Sequence, residues 1–184
     1  MITIFKRNID NVWYSVAVDE QGRIVASTFS LKNLREALNR IYEKIPFGAD
    51  KTVAEGQDGL GLIEAMKDLF LGKDVVRELP ISFDFCSNFR RKVYMSVMTI
   101  PKGYISTYGA IAKSVGSKSF SRAVGNAMAS NPFPLFIPCH RVVSSSLHLG
   151  GYGLGTETKR MILLREGVKF EGVKVSPKSL WEPN

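Results

Sequence analysis

A cysteine and a histidine are neighbours at Cys139-His140, in the middle of the run Ile137–Val143. Only the thiolate form of cysteine is a strong nucleophile, and a neighbouring imidazole can accept the proton of a thiol or stabilise its anion. Pro138 fixes the backbone just before the sulfur, and the β-branched residues around the pair predict a strand. The pair therefore indicates a reactive thiol, whereas the alternative is a buried, inert cysteine beside a surface histidine.

The 184-residue chain contains only two cysteines, Cys86 and Cys139, and two histidines, His140 and His148. Two cysteines do not make a disulfide framework, which favours a reducing compartment. Adjacent residues do not easily chelate one ion, so we predict no metal site. The N-terminal residues lack the features of a signal peptide, and no apolar run approaches the roughly 18–20 residues that span a bilayer. We expect a cytoplasmic protein, or a nuclear one in a eukaryote, without a membrane partner.

Basic residues are concentrated in the C-terminal part of the chain. Residues 1–84 carry 11 Lys or Arg and 13 Asp or Glu, whereas residues 85–184 carry 14 and 4. The formal net charges of the two parts are therefore −2 and +10, and no acidic residue occurs from Cys86 to Thr156. A basic surface attracts polyanions, so the charge favours nucleic acid as a partner; the alternative is a merely alkaline, soluble surface.

The first third of the chain has the pattern of a small α/β domain. Runs rich in β-branched and aromatic residues precede two amphipathic helical patterns. The predicted strands are Ile2–Phe5, Val12–Val18 and Ile24–Phe29, and the predicted helices are Leu31–Ile45 and Leu62–Leu71, the second closed by Gly72. We predict an N-terminal α/β domain over residues 1–78, with an antiparallel sheet and a structural role, and a linker over Val76–Asp84 that contains Pro80.

The predicted C-terminal domain, residues 85–170, is mostly helical and is followed by an expected tail at residues 171–184. Two of its short helices, one beginning at Tyr108 and one at Ser119 or Ser121, are joined by a glycine-containing turn. In a basic segment this pair matches helix-turn-helix organisation, although pairs of short helices are common in other proteins.

The second helix of this pair, Arg122–Ser130, is crowded with small residues and has few side chains that read bases. Small residues permit the close approach that the minor groove, about 6 Å wide, requires, and they equally permit tight packing within the protein. Arg122 is the one strong polar group at the helix start; it either fills the gap left by a displaced base or binds phosphate. Asn131 stands before Pro132, where it either caps the helix or ties it to the cysteine segment through side-chain-to-backbone hydrogen bonds.

The last predicted helix follows Thr156 and ends at Gly167. Glu166 lies in its last turn, where the helix dipole disfavours a carboxylate. Such a position predicts a compensating partner, either His140 or Arg141; the alternative is a solvent-exposed glutamate without a role.

The glycine-rich run Gly150–Gly155 does not make a dinucleotide fingerprint, because no strand–turn–helix unit of the required length surrounds it. A substrate-facing loop in which Tyr152 is an aromatic platform is the better interpretation.

Together these segments resemble the O6-alkylguanine-DNA alkyltransferases, which repair DNA by direct reversal. The resemblance covers about residues 85–170, and its most specific part is the Pro-Cys-His-Arg core. Its motifs are Gly103–Tyr108, Ser121–Gly125, Asn131-Pro132, Ile137–Val143, and Gly151-Tyr152 followed by Lys159 and Leu163–Gly167. The N-terminal third is similar to the family's variable domain in its α/β class only.

The resemblance implies that Cys139 accepts the alkyl group and that His140, held by Glu166, acts as a base through water. It implies that Asn131 is a hinge residue and that Tyr108 helps to rotate the nucleotide and protonates the leaving guanine. The implied pocket contacts are Pro134, the backbone of Val142, Tyr152 and Gly153. The implied DNA contacts are Thr107, Tyr108, Ser121, Arg122 as an arginine finger, Ala123 and Gly125.

The implied activity is a single irreversible transfer from O6-alkylguanine, flipped out of duplex DNA that is bound through the minor groove. The resemblance implies no cofactor, and we expect a monomer. Gly153 departs from the family, which often has Ser or Arg there, so a side-chain contribution is lost while the backbone N–H remains. The metal-binding N-terminal cysteines of some relatives are also missing.

Two other classes compete with this interpretation. A lesion-binding protein that does not transfer the alkyl group would lack the acceptor cysteine, which is present at Cys139. A helix-turn-helix regulator is opposed by the scarcity of base-reading side chains, and a Cys-His hydrolase by the lack of an oxyanion-hole motif.

Overall fold

The computed structural model describes residues 1–54, 61–76 and 78–183. Contacts between residues divide the chain into two compact units. The first unit comprises Met1–Leu69, Val75–Phe85 and Pro132–Phe136, and the second comprises Phe70–Asp74, Cys86–Asn131 and Ile137–Asn184. Phe70–Asp74, within the predicted N-terminal domain, therefore belongs to the second unit. Pro132–Phe136, within the predicted C-terminal domain, belongs to the first. Residues 55–60, Arg77 of the predicted linker and Asn184 of the predicted tail lie outside the described residues.

The first unit contains a four-stranded sheet in the order β3-β2-β1-β4. Its strands are β1 (Ile2–Ile9), β2 (Val12–Val18), β3 (Ile24–Ser30) and β4 (Lys51–Val53). The first three are antiparallel neighbours, but β4 runs parallel to β1. The predicted α/β class is confirmed, while the sheet is mixed rather than fully antiparallel, because the sequence pattern did not reveal the short β4.

The hairpin between β1 and β2 has a two-residue loop, since Ile9 pairs with Val12. Both loop residues, Asp10 and Asn11, have positive φ angles, 51° and 62°. This is the conformation of a type I′ turn, whose twist matches that of the flanking strands, and Asp and Asn tolerate it better than other residues with a Cβ.

Two helices complete this part of the chain, α1 (Leu34–Tyr42) and α2 (Leu62–Phe70). The side chain of Asn33 caps α1 by accepting a hydrogen bond from the N–H of Glu36 at 2.9 Å. Ala37 and Ile41 are fully buried, and Ile41 packs with apolar side chains of the sheet. The helix is shorter than predicted at both ends because Asn33 fixes its start and Glu43 its C-cap.

The second unit is mostly helical, as predicted. Its helices are α3 (Asn88–Met98), α4 (Tyr108–Ser114), α5 (Ser121–Ala129) and α6 (Thr156–Arg165). Thr107 caps α4 by accepting from the N–H of Ala110 at 3.1 Å. The buried Tyr94 of α3 donates its hydroxyl proton to the carbonyl of Ala127 at 3.0 Å, which fixes α5 against α3. In α6, Thr156 is the first helical residue rather than the predicted cap.

Short strands join the remaining segments of this unit. Strand β5 (Ser106–Thr107) pairs in parallel with β6 (Val142–Val143), and β7 (Phe170–Glu171) pairs with β8 (Lys174–Val175) in an antiparallel hairpin. The N–H of Trp181 donates to the carbonyl of Ile105 at 2.8 Å. The described residues of the expected tail, 171–183, therefore lie in the second unit and contain β8. Over the residues described, no helix has the length and apolar character that crossing a membrane requires.

Candidate active site

Cys139 begins a single turn of 3₁₀ helix, Cys139–Arg141, and does not lie within a strand as the flanking residues predict. Pro138 precedes the turn with φ near −78°, and its carbonyl accepts from the N–H of Arg141 at 2.9 Å. Strand β6 starts only at Val142. Proline thus imposes a turn on the residues that would otherwise extend the strand. The turn leaves Cys139 6% exposed.

Asn131 joins the end of α5 to the cysteine segment. Its side-chain Nδ2 donates to the carbonyl of Ile137 at 3.2 Å and lies 3.0 Å from the Sγ atom of Cys139. The residue is buried, 4% exposed. Of the two interpretations of this asparagine, the geometry favours the tie between helix and cysteine segment. One amide holds both the backbone before the sulfur and the sulfur itself.

Behind the sulfur, a single carboxylate binds both residues that follow Cys139. His140 Nε2 lies 2.9 Å from Glu166 Oε1. Arg141 donates from Nε to Oε2 at 2.9 Å and from Nη2 to Oε1 at 2.8 Å, a two-point contact. The side chains of His140 and Glu166 are 2% and 3% exposed. The sequence predicts His140 or Arg141 as the partner of Glu166, and in the structure both residues bind it.

The charge states of this group follow from its contacts. Burial by itself would raise the pKa of Glu166, but His140 and Arg141 outweigh burial and lower it to about 2. Burial lowers the pKa of His140, and Glu166 only partly opposes that shift. At neutral pH the carboxylate is therefore charged and the imidazole neutral. An ionised carboxylate only accepts hydrogen bonds, so Nε2 carries the ring proton and Nδ1 is the basic nitrogen.

The end of α6 is built to hold Glu166 in this place. Glu166 is the C-cap, and Gly167 follows with φ of 88°. The N–H groups of Gly167 and Val168 donate to the carbonyls of Leu164 and Leu163, both at 3.0 Å. These two bonds and the burial of Val168 against Leu163 form a Schellman motif, in which glycine takes the left-handed conformation most easily.

Lys159 is a functional candidate that the sequence interpretation gave no role. It is 1% exposed, and its Nζ donates to the carbonyls of Val142 at 2.7 Å and Leu149 at 2.5 Å. Burial lowers the pKa of Lys159 to about 8, although the charge of Cys139 opposes that shift. Lys159 shares one face of α6 with Ile162 and Leu163, and this spacing is the signal from which its burial could be predicted.

Cys139 lies in the wall of a cavity of about 320 Å³, the size of a small-molecule pocket. The cavity is lined by Tyr108, Gly125, Met128, Ala129, Cys139, Gly151, Tyr152 and Gly153. Burial raises the pKa of Tyr108, and so does the charge of Cys139, so its hydroxyl remains a proton donor at neutral pH. Five residues selected from the sequence thus meet at one cavity: Cys139, Tyr108, Tyr152, Gly153 and Gly125.

Other predicted pocket contacts are placed differently. Val142 is fully buried, and its carbonyl accepts from the ammonium group of Lys159. Pro134 belongs to the first unit, where its carbonyl accepts from the hydroxyl of Ser27 at 3.0 Å. Neither lines the cavity as the structure describes it.

The predicted DNA contacts lie at the starts of α4 and α5. Thr107 caps α4, and Arg122 and Ala123 are exposed in the first turn of α5. Ser121 is half-buried and donates to the carbonyl of Lys118 at 2.6 Å. A Cβ added to Gly125 would meet no atom within 4 Å, so this glycine is not needed for packing within the described structure. The exposed side of α5 therefore carries the small residues Ala123 and Ala129 together with Asn126, and its one cation, Arg122, lies at the start.

Within residues 1–54, 61–76 and 78–183, no three His, Cys, Asp or Glu side chains are grouped so as to hold a metal ion.

A cysteine bonded by an asparagine, beside a histidine–carboxylate pair and open to a cavity, defines the class of proteins with a nucleophilic thiol site. Residues 88–168 match the family model described as 6-O-methylguanine DNA methyltransferase, DNA binding domain. The chain belongs to the family of methylated-DNA–protein-cysteine methyltransferases, which confirms the resemblance found in the sequence.

Similar proteins cover most of the chain. A methylated-DNA–protein-cysteine methyltransferase of Thermococcus gammatolerans is 35% identical over 170 residues, 90% of this chain and 94% of that protein. One of Metallosphaera sedula is 37% identical over 129 residues, 68% of this chain and 80% of that protein. The crystal structure of O6-methylguanine-DNA methyltransferase from Pyrococcus kodakaraensis KOD1 covers 91% of this chain and 100% of its own, with a TM-score of 0.70 and 27% identity.

Proposed function

We propose that this protein repairs DNA by transferring the alkyl group of O6-alkylguanine to the sulfur of Cys139. The observation that carries the proposal is the position of that sulfur. It lies in the wall of a cavity of about 320 Å³, and the next residue of its turn, His140, bonds to the buried Glu166. Membership of the methyltransferase family supports the same reaction.

The transfer is a displacement at the alkyl carbon. The Cys139 thiol loses its proton toward the basic Nδ1 of His140, through a bridging water, and its sulfur attacks the carbon attached to O6. A carbon–sulfur bond forms while the carbon–O6 bond breaks, and the bonding electrons leave with the guanine. The Tyr108 hydroxyl supplies the proton that the leaving guanine takes up. Glu166 stabilises the imidazolium that forms on His140, since its carboxylate is already charged.

The substrate base must leave the DNA stack to reach the sulfur, which costs a few kcal/mol. In the proposed complex, α4 and α5 form a helix-turn-helix whose second helix lies along the minor groove. The small side chains on α5 allow the close approach, and the exposed Arg122 fills the gap that the displaced base leaves. Thr107, Ser121, Ala123 and Gly125 line the same approach.

The product is a thioether, which has no carbonyl group for water to attack. The chain has no described group beside Cys139 that would cleave a carbon–sulfur bond, so we propose one transfer per molecule. The proposed transfer uses no cofactor. The sulfur supplies the electron pair, His140 accepts the thiol proton, and Tyr108 donates a proton to the guanine.

The reaction is tested by incubating the protein with duplex DNA that contains O6-methylguanine and analysing its peptides by mass spectrometry. The Cys139 peptide is expected to gain the mass of one CH₂ group, in a yield that never exceeds one per protein. The Cys86 peptide is the internal control and stays unmodified. A Cys139 peptide of unchanged mass, or more methyl groups removed than protein molecules present, contradicts the proposal.

Two variants separate transfer from binding. Cys139→Ala is expected to bind the damaged duplex and leave its methyl group in place, whereas the matched variant Cys86→Ser transfers it normally. If Cys139→Ala still demethylates the DNA, the acceptor is another group and the proposal is wrong.

A further inference from the structure

The segment Phe70–Asp74 lies directly against the last turn of α6. Gly72 has a φ of 74°, and a Cβ added to it would lie 2.3 Å from the carbonyl oxygen of Arg165 and 3.0 Å from the backbone nitrogen of Glu166. No side chain fits at those distances. Gly72 therefore has two requirements: a left-handed backbone and an approach to α6 that only glycine permits.

Side-chain contacts fix both ends of the segment. The guanidinium of Arg165 stacks over the ring of Phe70, 4.3 Å from its centre, and donates to the Phe70 carbonyl at 3.1 Å. At the other end, Asp74 accepts from the ammonium of Lys102 at 2.5 Å. The contact at Gly72 lies between these two attachments in sequence, so the segment is held against the helix end along its length.

The same helix end is contacted from a second direction. A Cβ on Gly103 would lie 3.4 Å from the carbonyl oxygen of Glu166. Lys102, which binds Asp74, is in the same turn. Arg141 also donates to the carbonyl of Ile100, at the start of this turn, at 2.7 Å. The backbone of Glu166 is thus enclosed by two turns that are themselves joined by an ion pair.

We infer that the segment Phe70–Asp74 is a brace for the Glu166 carboxylate and that Gly72 is a positioning residue for the alkyl transfer. The inference rests on the proposed function in one respect, the role of His140 in the chemistry. Glu166 bonds to His140 and Arg141 at 2.8–2.9 Å, so a shift of its backbone changes all three bonds together. A misplacement of about 1 Å can slow a reaction about 100-fold even when it originates away from the reacting atoms.

The test compares two glycine variants. Gly72→Ala introduces a methyl group where the carbonyl of Arg165 lies, and Gly172→Ala is its control. Gly172 also lies in the second unit with a positive φ of 63°, but a Cβ there meets no atom within 4 Å. Both variants therefore carry the backbone strain of alanine in the left-handed region, and only Gly72→Ala displaces α6.

The readout that a general loss of stability would not move is the ring of His140, observed by ¹H–¹⁵N NMR. The chain has two histidines, so His148, which is exposed, is an internal reference in every spectrum. In the native protein, the Nε2 proton of His140 bonds to Glu166. The charged groups that face this ring are Glu166, Arg141 and Lys159, and none of them is altered in either variant.

In Gly72→Ala, the His140 Nε2–H signal is expected to move toward that of an unbonded imidazole. Its titration is expected to shift to lower pH by about half a unit or more, because the carboxylate that favours the protonated ring has moved away. The transfer of benzyl from free O6-benzylguanine to Cys139 is expected to slow roughly 10-fold or more. In Gly172→Ala, both the His140 signal and the transfer rate stay at native values.

An unchanged His140 signal in folded Gly72→Ala overturns the inference. If that variant does not fold, Arg165→Gln decides, since it removes the stacked guanidinium without adding bulk or strain; a shifted His140 signal supports the brace and a native signal rejects it. If the native protein transfers no alkyl group at all, the proposed function fails. The His140 signals then still decide whether the segment positions Glu166.

Discussion

Two groups of residues around Cys139 differ in character, and we name them the polar wall and the α5 wall. The polar wall is buried, does not line the cavity, and consists of polar and charged groups in fixed contacts: Asn131 on the sulfur, Glu166 between His140 and Arg141, and Lys159 between two carbonyls. The α5 wall lines the cavity with Gly125, Met128 and Ala129, and Gly125 has open space around the position of a Cβ. The polar wall is defined by the hydrogen bonds of its side chains, and the α5 wall by the space that Gly125 leaves open.

This difference separates two tasks. Buried charges are tolerated only when they are paired or hydrogen-bonded, so each change in the polar wall leaves another group unsatisfied. The exposed side of α5 has no such dependence, so we expect substitutions there to leave folding intact. We therefore expect substitutions in the polar wall to reduce stability and reaction rate, and substitutions on α5 to reduce the binding of DNA or of the base.

The strongest test of the polar wall is the stability of Glu166→Gln as a function of pH. The folded pKa of Glu166, about 2, lies below its ordinary value of 4.5, so the ionised carboxylate stabilises the native state above pH 4.5. That contribution is lost as the pH falls from 4.5 to about 2. It amounts to about 3 kcal/mol, and the advantage of the native protein over Glu166→Gln should shrink by this amount across that range in urea denaturation. If the two proteins lose stability in parallel as the pH falls, the lowered pKa of Glu166 in the folded protein is contradicted.

Next in size is the effect of the same substitution on the transfer rate at neutral pH. In the proposed reaction His140 becomes an imidazolium, which the neutral glutamine does not stabilise, so benzyl transfer from O6-benzylguanine should slow about 100-fold. The binding of duplex DNA should change less than about twofold, since Glu166 is 7% exposed and does not line the cavity. Single-turnover kinetics with a parallel anisotropy titration measures both. If binding falls as much as the rate, the polar wall does not act on the reaction alone and the expected difference between the two walls is wrong.

The smallest expected effect is on α5. Gly125→Leu should fold normally, because no atom lies within 4 Å of the added Cβ, but it fills space in the wall of the cavity. We expect its affinity for a duplex containing O6-methylguanine to fall about 10-fold, at one fixed salt concentration. Gly125→Ala is the matched control and should bind within about twofold of the native protein, with equal or greater thermal stability. If the two variants bind alike, bulk on this helix is unimportant.

Local signals in the sequence located Cys139, His140 and Glu166, whereas they gave no role to Lys159. The Cys139-His140 pair was visible as a dipeptide, and the carboxylate at the wrong end of a helix correctly predicted a cationic or histidine partner for Glu166. The helix pair that carries the small residues was also placed within one or two residues, since caps such as Thr107 act locally. These features depend on residues that are close in sequence.

Contacts between distant residues were not visible in this way. Strand β4 has only three residues, and its parallel pairing with β1 joins segments about fifty residues apart. The pattern correctly predicts Gly72 as the glycine that ends a helix, but its approach to Arg165, far along the chain, has no local signature. The β-branched neighbours of Cys139 predict a strand there, but the structure has a turn, because Pro138 decides the backbone path. The pattern of apolar residues predicts which residues are buried. Tertiary packing decides which backbone conformation buries them.

The single carboxylate that serves both His140 and Arg141 has an evolutionary consequence. A change in any one of the three residues removes a partner from the other two, so the costs of successive changes do not add. Epistasis of this kind makes the first step away from the trio the steepest. Sequences that have changed only one or two of the three residues should therefore be disfavoured. We expect related chains to retain or lose the three residues as one set.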